Sequence, residues 1–169
     1  MFKKGFTLLE ILVYIGVLGI IIVAISSFLI WATQSNTKAK VMRETLDNAR
    51  RAMEIMTYEI REAKNIYTPT STSTQLSLEI THYLPERETR SYIDFYLCNF
   101  HLCLKKESQN PISLTSDKVE VENLSFTQVI TNGVPSVQIN LKLDYKNPNN
   151  RPEYQATVEL NSTVSLRSY

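Results

Sequence analysis

Glu10 is the residue whose position most needs a chemical reason. It heads a run from Ile11 to Ala32 that contains no charged side chain. A carboxylate deep in a bilayer costs about 2.5–3.5 kcal/mol or more, so a chain that keeps one there has a use for it. Between Phe6 and Ala32 the only other ionisable side chain is Tyr14. The remaining candidates for chemistry are Cys98 and Cys103, the only cysteines, and His82 and His101, the only histidines.

The two cysteines flank Asn99-Phe100-His101-Leu102, which reads as a four-residue hairpin loop. Residues on either side of such a loop face each other at a distance a disulfide can span. A Cys98–Cys103 bond is therefore expected, provided the domain lies outside the cytoplasm, where disulfides persist. The competing reading is a zinc site built from Cys98, His101 and Cys103 with His82. Its spacing matches no zinc signature, so no metal is expected. A glycine-rich phosphate loop, an HExxH helix and a G-x-S-x-G elbow are all missing from the sequence. No catalytic residue and no cofactor are expected. The net charge is +1, or −1 without Lys3 and Lys4, which gives no electrostatic ground for a nucleic-acid partner.

The elements that must position these residues divide the chain in two. All six prolines lie at Pro69 or later, and of the four glycines only Gly133 lies beyond Gly19. The 22 residues from Ile11 to Ala32 suffice to cross a hydrocarbon core of about 30 Å. They are too long for the apolar region of a secretory signal peptide. Gly16 and Gly19 are small positions where a second helix can approach. From Lys38 to Ile66, Val41, Thr45, Leu46, Ala49, Met53, Met56, Ile60 and Ala63 recur at steps of three or four, the stripe of an amphipathic helix. Glu44, Asp47, Arg50, Arg51, Glu54, Glu59, Arg61, Glu62 and Lys64 read as its solvated face, and Met42, Met53 and Met56 as core fillers. Joined, the two pieces predict one helix from Phe6 to Ile66, roughly 90 Å long.

Beyond Pro69 the pattern changes to period two. Gln75–Thr81, Tyr92–Leu97, Val119–Phe126, Val137–Tyr145 and Tyr154–Leu166 alternate apolar and polar residues, the mark of antiparallel strands with one buried face. Asn132-Gly133 is a hairpin turn signal, and Asn147 to Pro152 reads as a loop. The expected fold is α+β, a long N-terminal helix packed on an antiparallel sheet. Four segments are expected: 1–5 ahead of the helix, an apolar helix half 6–32 able to cross a membrane, an amphipathic half 33–67 and an extracytoplasmic β-rich domain 68–169. Lys3 and Lys4 before the span place the N-terminus in the cytoplasm and the domain outside it, the arrangement of a single-pass inner-membrane protein.

The segment Lys3-Lys4-Gly5-Phe6-Thr7-Leu8-Leu9-Glu10 resembles the N-terminus of the type IV pilin and pseudopilin family. The resemblance implies that a prepilin peptidase cuts between Gly5 and Phe6, that the new amine on Phe6 is methylated, and that Glu10 is an assembly residue facing the amine of a neighbouring subunit. Many members carry a proline in the protruding half of the helix, where this chain has Ser26-Ser27. A looser likeness covers Tyr58–Ala63, Leu114-Thr115-Ser116, Val119–Phe126 and Val164–Arg167. It looks like the minor subunits called pseudopilin J of type II secretion and minor pilin W of type IV pili. The implied function is a minor pseudopilin at or near the tip of a pilus-like fibre, structural rather than enzymatic, with other minor and major pilins or pseudopilins as partners. The alternatives are a minor pilin of a type IV or competence pilus, and a membrane-anchored binding domain that never polymerises.

Overall fold

The computed structural model describes residues 7–81, 84, 88–131 and 134–167. Helix α1 runs unbroken from Leu8 to Glu62, about 80 Å at 1.5 Å per residue. Thr7 caps it: its extended backbone and its Oγ1, which accepts from the Glu10 N–H at 3.3 Å, satisfy one of the donors that a helix start leaves open. Ser26-Ser27 does not interrupt it. Ser27 Oγ donates back to the Val23 carbonyl at 2.9 Å, within the helical run.

The helix ends four residues before the expected Ile66. Ala63 is extended, and Asn65–Ile66 forms the short strand β1. Two local bonds explain the stop. The Asn65 side chain accepts from the Ile66 N–H at 2.9 Å, and the Lys64 N–H donates to the Glu79 carbonyl at 2.9 Å. The backbone is thereby drawn into a sheet.

The strands form two antiparallel sheets rather than one. The first has the order β1, β2 (Leu76–Ile80), β3 (Ser91–Cys98), β4 (His101–Lys106) and β5 (Ile112–Ser113). The second has the order β6 (Val119–Thr131), β7 (Val134–Tyr145) and β8 (Thr157–Ser165). Both pack with the helix around one core. Ala49, Ala52, Met56 and Ile60 of α1 meet Leu78, Ile93, Phe95 and Leu104 of the first sheet, and Phe126, Val137, Ile139, Leu141 and Leu143 of the second. Each large apolar side chain fully buried here contributes about 1.5–3 kcal/mol. The α+β fold expected from patterning, a long helix on antiparallel strands, is the fold observed.

Several local details differ from the sequence reading. The β3–β4 turn has two residues, not four. Asn99 and Phe100 take φ of 48° and 64°, the left-handed pair of a type I′ turn whose twist suits a hairpin. In β6 the inward positions change parity, Val119 and Val121 but then Leu124 and Phe126. The pairing register shifts between Val121 and Asn123, so an extra residue bulges out and resets the alternation. Pro152–Tyr154 is a 3₁₀ turn, and β8 begins only at Thr157. Met42 lies exposed rather than in the core. The Asn132-Gly133 turn and His82 lie outside the described residues.

The charged side of α1 is not simply solvated. Glu59 is buried and pairs with Lys106 of β4 at 3.7 Å, Glu44 with Lys118 at 2.7 Å, and Glu62 with Arg167 at 3.5 Å. The Glu44 carboxylate accepts a hydrogen bond from Lys118 and attracts it, raising the lysine above its usual range. A raised lysine contributes its stabilisation throughout the range below its ordinary value and loses it only under strongly alkaline conditions.

Asn48 links the helix to the loop before β6. Its amide donates to the Glu44 carbonyl, and its Oδ1 accepts from the Ser116 N–H, both at 2.9 Å. Asn48→Leu leaves that N–H in the interface without its acceptor. We expect a loss of about 1–3 kcal/mol in denaturant unfolding of the full chain, most of it from the stranded donor.

Candidate functional site

The site is the first turn of α1. Glu10 occupies the third helical position after the Thr7 cap, so its own N–H is held by Thr7 Oγ1 at 3.3 Å and by the Thr7 carbonyl at 3.1 Å. Thr-x-x-Glu is the spacing of a capping box. Only half of the box is made by the side chains, because the Glu10 carboxylate reaches forward. Its Oε1 accepts from the Tyr14 hydroxyl, one turn on, at 3.2 Å. A carboxylate in the first turn is also favoured by the positive end of the helix dipole.

Beyond this pair the helix is apolar all round and wholly uncovered. Every residue from Ile11 to Trp31 is exposed, and the first buried residue of the helix is Val41. The run passes, by length and composition, as a helix able to cross a membrane. Among the described residues, added side-chain atoms at Gly16 and Gly19 would meet nothing within 4 Å, so their smallness serves no contact with any of these residues. A single chain thus offers a surface that only lipid or other apolar helices can cover.

Gly5 and Phe6, the expected cleavage and methylation positions, lie outside the described residues. Thr7 and Tyr14, which hold Glu10 in place, were not singled out from the sequence as its partners. The Thr-x-x-Glu and Glu-x-x-x-Tyr spacings were the signals available.

The cysteines lie far along the chain, in the domain. Cys98 and Cys103 form a disulfide with a Cα–Cα distance of 5.9 Å. They are not direct cross-strand neighbours: Cys98 faces His101, and Cys103 faces Tyr96. The bond crosses the hairpin diagonally, between residues on one face of the ribbon. His101 opens β4 with Nδ1 3.4 Å from Thr115 Oγ1 and Nε2 4.0 Å from Asp117. Among the described residues no three His, Cys, Asp or Glu side chains converge as a metal site would require.

Residues 1–26 match the family model described as the prokaryotic N-terminal methylation motif. Neither a curated protein nor a solved structure matches the chain. The matched segment contains Gly5, Phe6, Thr7, Glu10 and Tyr14 and ends inside the exposed half of α1. A methylation motif heading a long helix that packs on antiparallel sheets is an arrangement consistent with a type IV pilin or pseudopilin.

Proposed function

We propose that this chain is a minor pseudopilin of a type II secretion system, a structural subunit at or near the tip of a pilus-like fibre. A prepilin peptidase cuts the Gly5–Phe6 bond on the cytoplasmic side and the Phe6 amine is methylated. The processed chain waits in the inner membrane with its β-rich domain outside the cytoplasm, and then joins other pseudopilins. The observation that carries this reading is Glu10 at the head of a helix half that is apolar and exposed throughout. The carboxylate is unfavourable in lipid and becomes favourable beside the amine of a neighbouring subunit, so assembly recovers what insertion loses. The looser likeness of the second half to minor subunits supports the minor assignment.

The test is Glu10→Gln in the full chain. Removing one member of a buried ion pair costs about 3–5 kcal/mol, so co-purification with partner subunits from detergent-solubilised membranes should fall by roughly a hundredfold to a few thousandfold. Insertion and cleavage should remain. In a secretion assay the variant should fail to restore export to a strain lacking the native chain. Undiminished co-purification and export would support an anchored domain that does not polymerise. Lost piliation with intact export would instead identify a minor pilin.

A further inference from the structure

The lower edge of the domain comes down to the end of the apolar run. Trp31, the only tryptophan of the chain, lines a groove of about 330 Å³ together with Gln34, Ser35, Lys38, Pro152 and Glu153. Trp31 is 63% exposed, and its ring lies 6.0 Å from that of Phe28. Aromatic rings at the end of an apolar span are the usual residents of the membrane–water interface. From Leu8 to Trp31 the helix rises about 35 Å, which matches a hydrocarbon core of about 30 Å with one end in the headgroups.

Immediately beyond this boundary the charge is basic. Lys38 and Lys40 lie about 10 and 14 Å above Trp31 along the axis. Both are exposed, and the lysines that form ion pairs among the described residues are Lys64, Lys106, Lys118, Lys142 and Lys146, not these two. The nearby carboxylates are already engaged. Glu153 pairs with Arg151 at 3.1 Å, and Glu44 with Lys118 at 2.7 Å. Lysines normally accumulate on the cytoplasmic side of a span, whereas these two stand on the side that the domain occupies. Long lysine side chains reach several ångströms along an apolar stem towards headgroups, and an anionic surface attracts them across a distance of about 8 Å at physiological ionic strength.

We propose that Trp31 and Lys38, beneath the Pro152–Glu153 turn, together with Lys40 on the opposite side of the helix, form a basic collar for anionic phospholipid headgroups, a seat that fixes how deep the span sits and holds the domain against the membrane before assembly. The inference rests on the reading of the apolar half as a membrane span. Its ligand is the phosphate of an anionic lipid, and entering a fibre requires that contact to be given up.

The lone tryptophan makes the test direct. The full chain is reconstituted in mixed phosphatidylcholine and phosphatidylglycerol vesicles, with bromine-labelled chains on one lipid or the other, and quenching of Trp31 is compared. A basic residue near an anionic surface gives a gain on the order of fivefold, so brominated phosphatidylglycerol should be preferred at Trp31 by about that factor. The preference should vanish in Lys38→Glu/Lys40→Glu, shrink in Lys38→Gln/Lys40→Gln, and fall at high salt. Both lysines are exposed, so thermal unfolding of the domain should not change in either variant. Equal quenching by the two lipids in the wild type, or a preference that survives charge reversal, overturns the seat while leaving the span intact. Absence of quenching by either lipid overturns the span itself, and the seat with it.

Discussion

A chain carrying Gly5→Val should accumulate in the membrane at its full length, still beginning at Met1. A peptidase that cuts the Gly5–Phe6 bond must bring its catalytic groups against the backbone, and glycine presents no Cβ to hold it away. Displacing the reacting groups by about 1 Å lowers a rate on the order of a hundredfold. Intact mass measurement of the membrane fraction should show the uncut chain as the main species for Gly5→Val and a chain starting at Phe6 for the wild type. The variant should be as unable to assemble as Glu10→Gln, because the amine that Glu10 is proposed to meet is never released. If Gly5→Val is processed normally, the scissile bond lies elsewhere and the assignment of Phe6 as the methylated residue goes with it.

Phe95→Ala should be the most damaging single change in the domain. Phe95 is fully buried in β3, between Leu76 of β2 and Leu104 of β4, in the core that joins the helix to both sheets. Truncating a phenylalanine in such a place costs about 3–5 kcal/mol, a large part of the 5–15 kcal/mol typical of a whole domain. Urea unfolding of the detergent-solubilised full chain, followed by strand circular dichroism, measures the shift. Ile112→Ala is the control: Ile112 lies exposed on the edge strand β5, and its loss should stay within about 0.5 kcal/mol. Equal effects at the two positions would contradict the core described above.

The sequence makes plain whatever is specified locally. The amphipathic stripe of α1 from Val41 to Ile60 and the alternation of Val137, Ile139, Leu141 and Leu143 are visible because each element buries one face against a continuous core. The N-terminal methylation motif is legible for a different reason: a short linear motif keeps its residues in order along the chain. What depends on distant partners cannot be read this way. Glu44, Asn48 and Glu59 look like ordinary surface residues of a helix until Lys118, Ser116 and Lys106 are brought to them by the sheets. The division into two sheets is likewise decided by pairings between segments far apart. The bulge in β6 and the two-residue turn at Asn99-Phe100 escape pattern reading because one inserted or removed residue changes register without changing composition. At the first turn, Tyr14 was visible as an ionisable residue, but its bond to Glu10 is a matter of helical geometry.

The continuity of α1 has a mechanical consequence. With no proline in its 55 residues and hydrogen bonding carried through Ser26-Ser27, the helix acts as a shaft that transmits rotation as well as length. Each residue along it adds about 1.5 Å of rise but about 100° of turn. The direction in which Glu10 points, relative to the faces of the domain, is therefore set by the number of residues between them far more sharply than the distance is. One residue inserted between Ala32 and Lys38 would scarcely lengthen the subunit, yet it would turn Glu10 more than a quarter of the way around the axis. In any helical array built from such subunits, this angular phase decides which face of the domain looks outward.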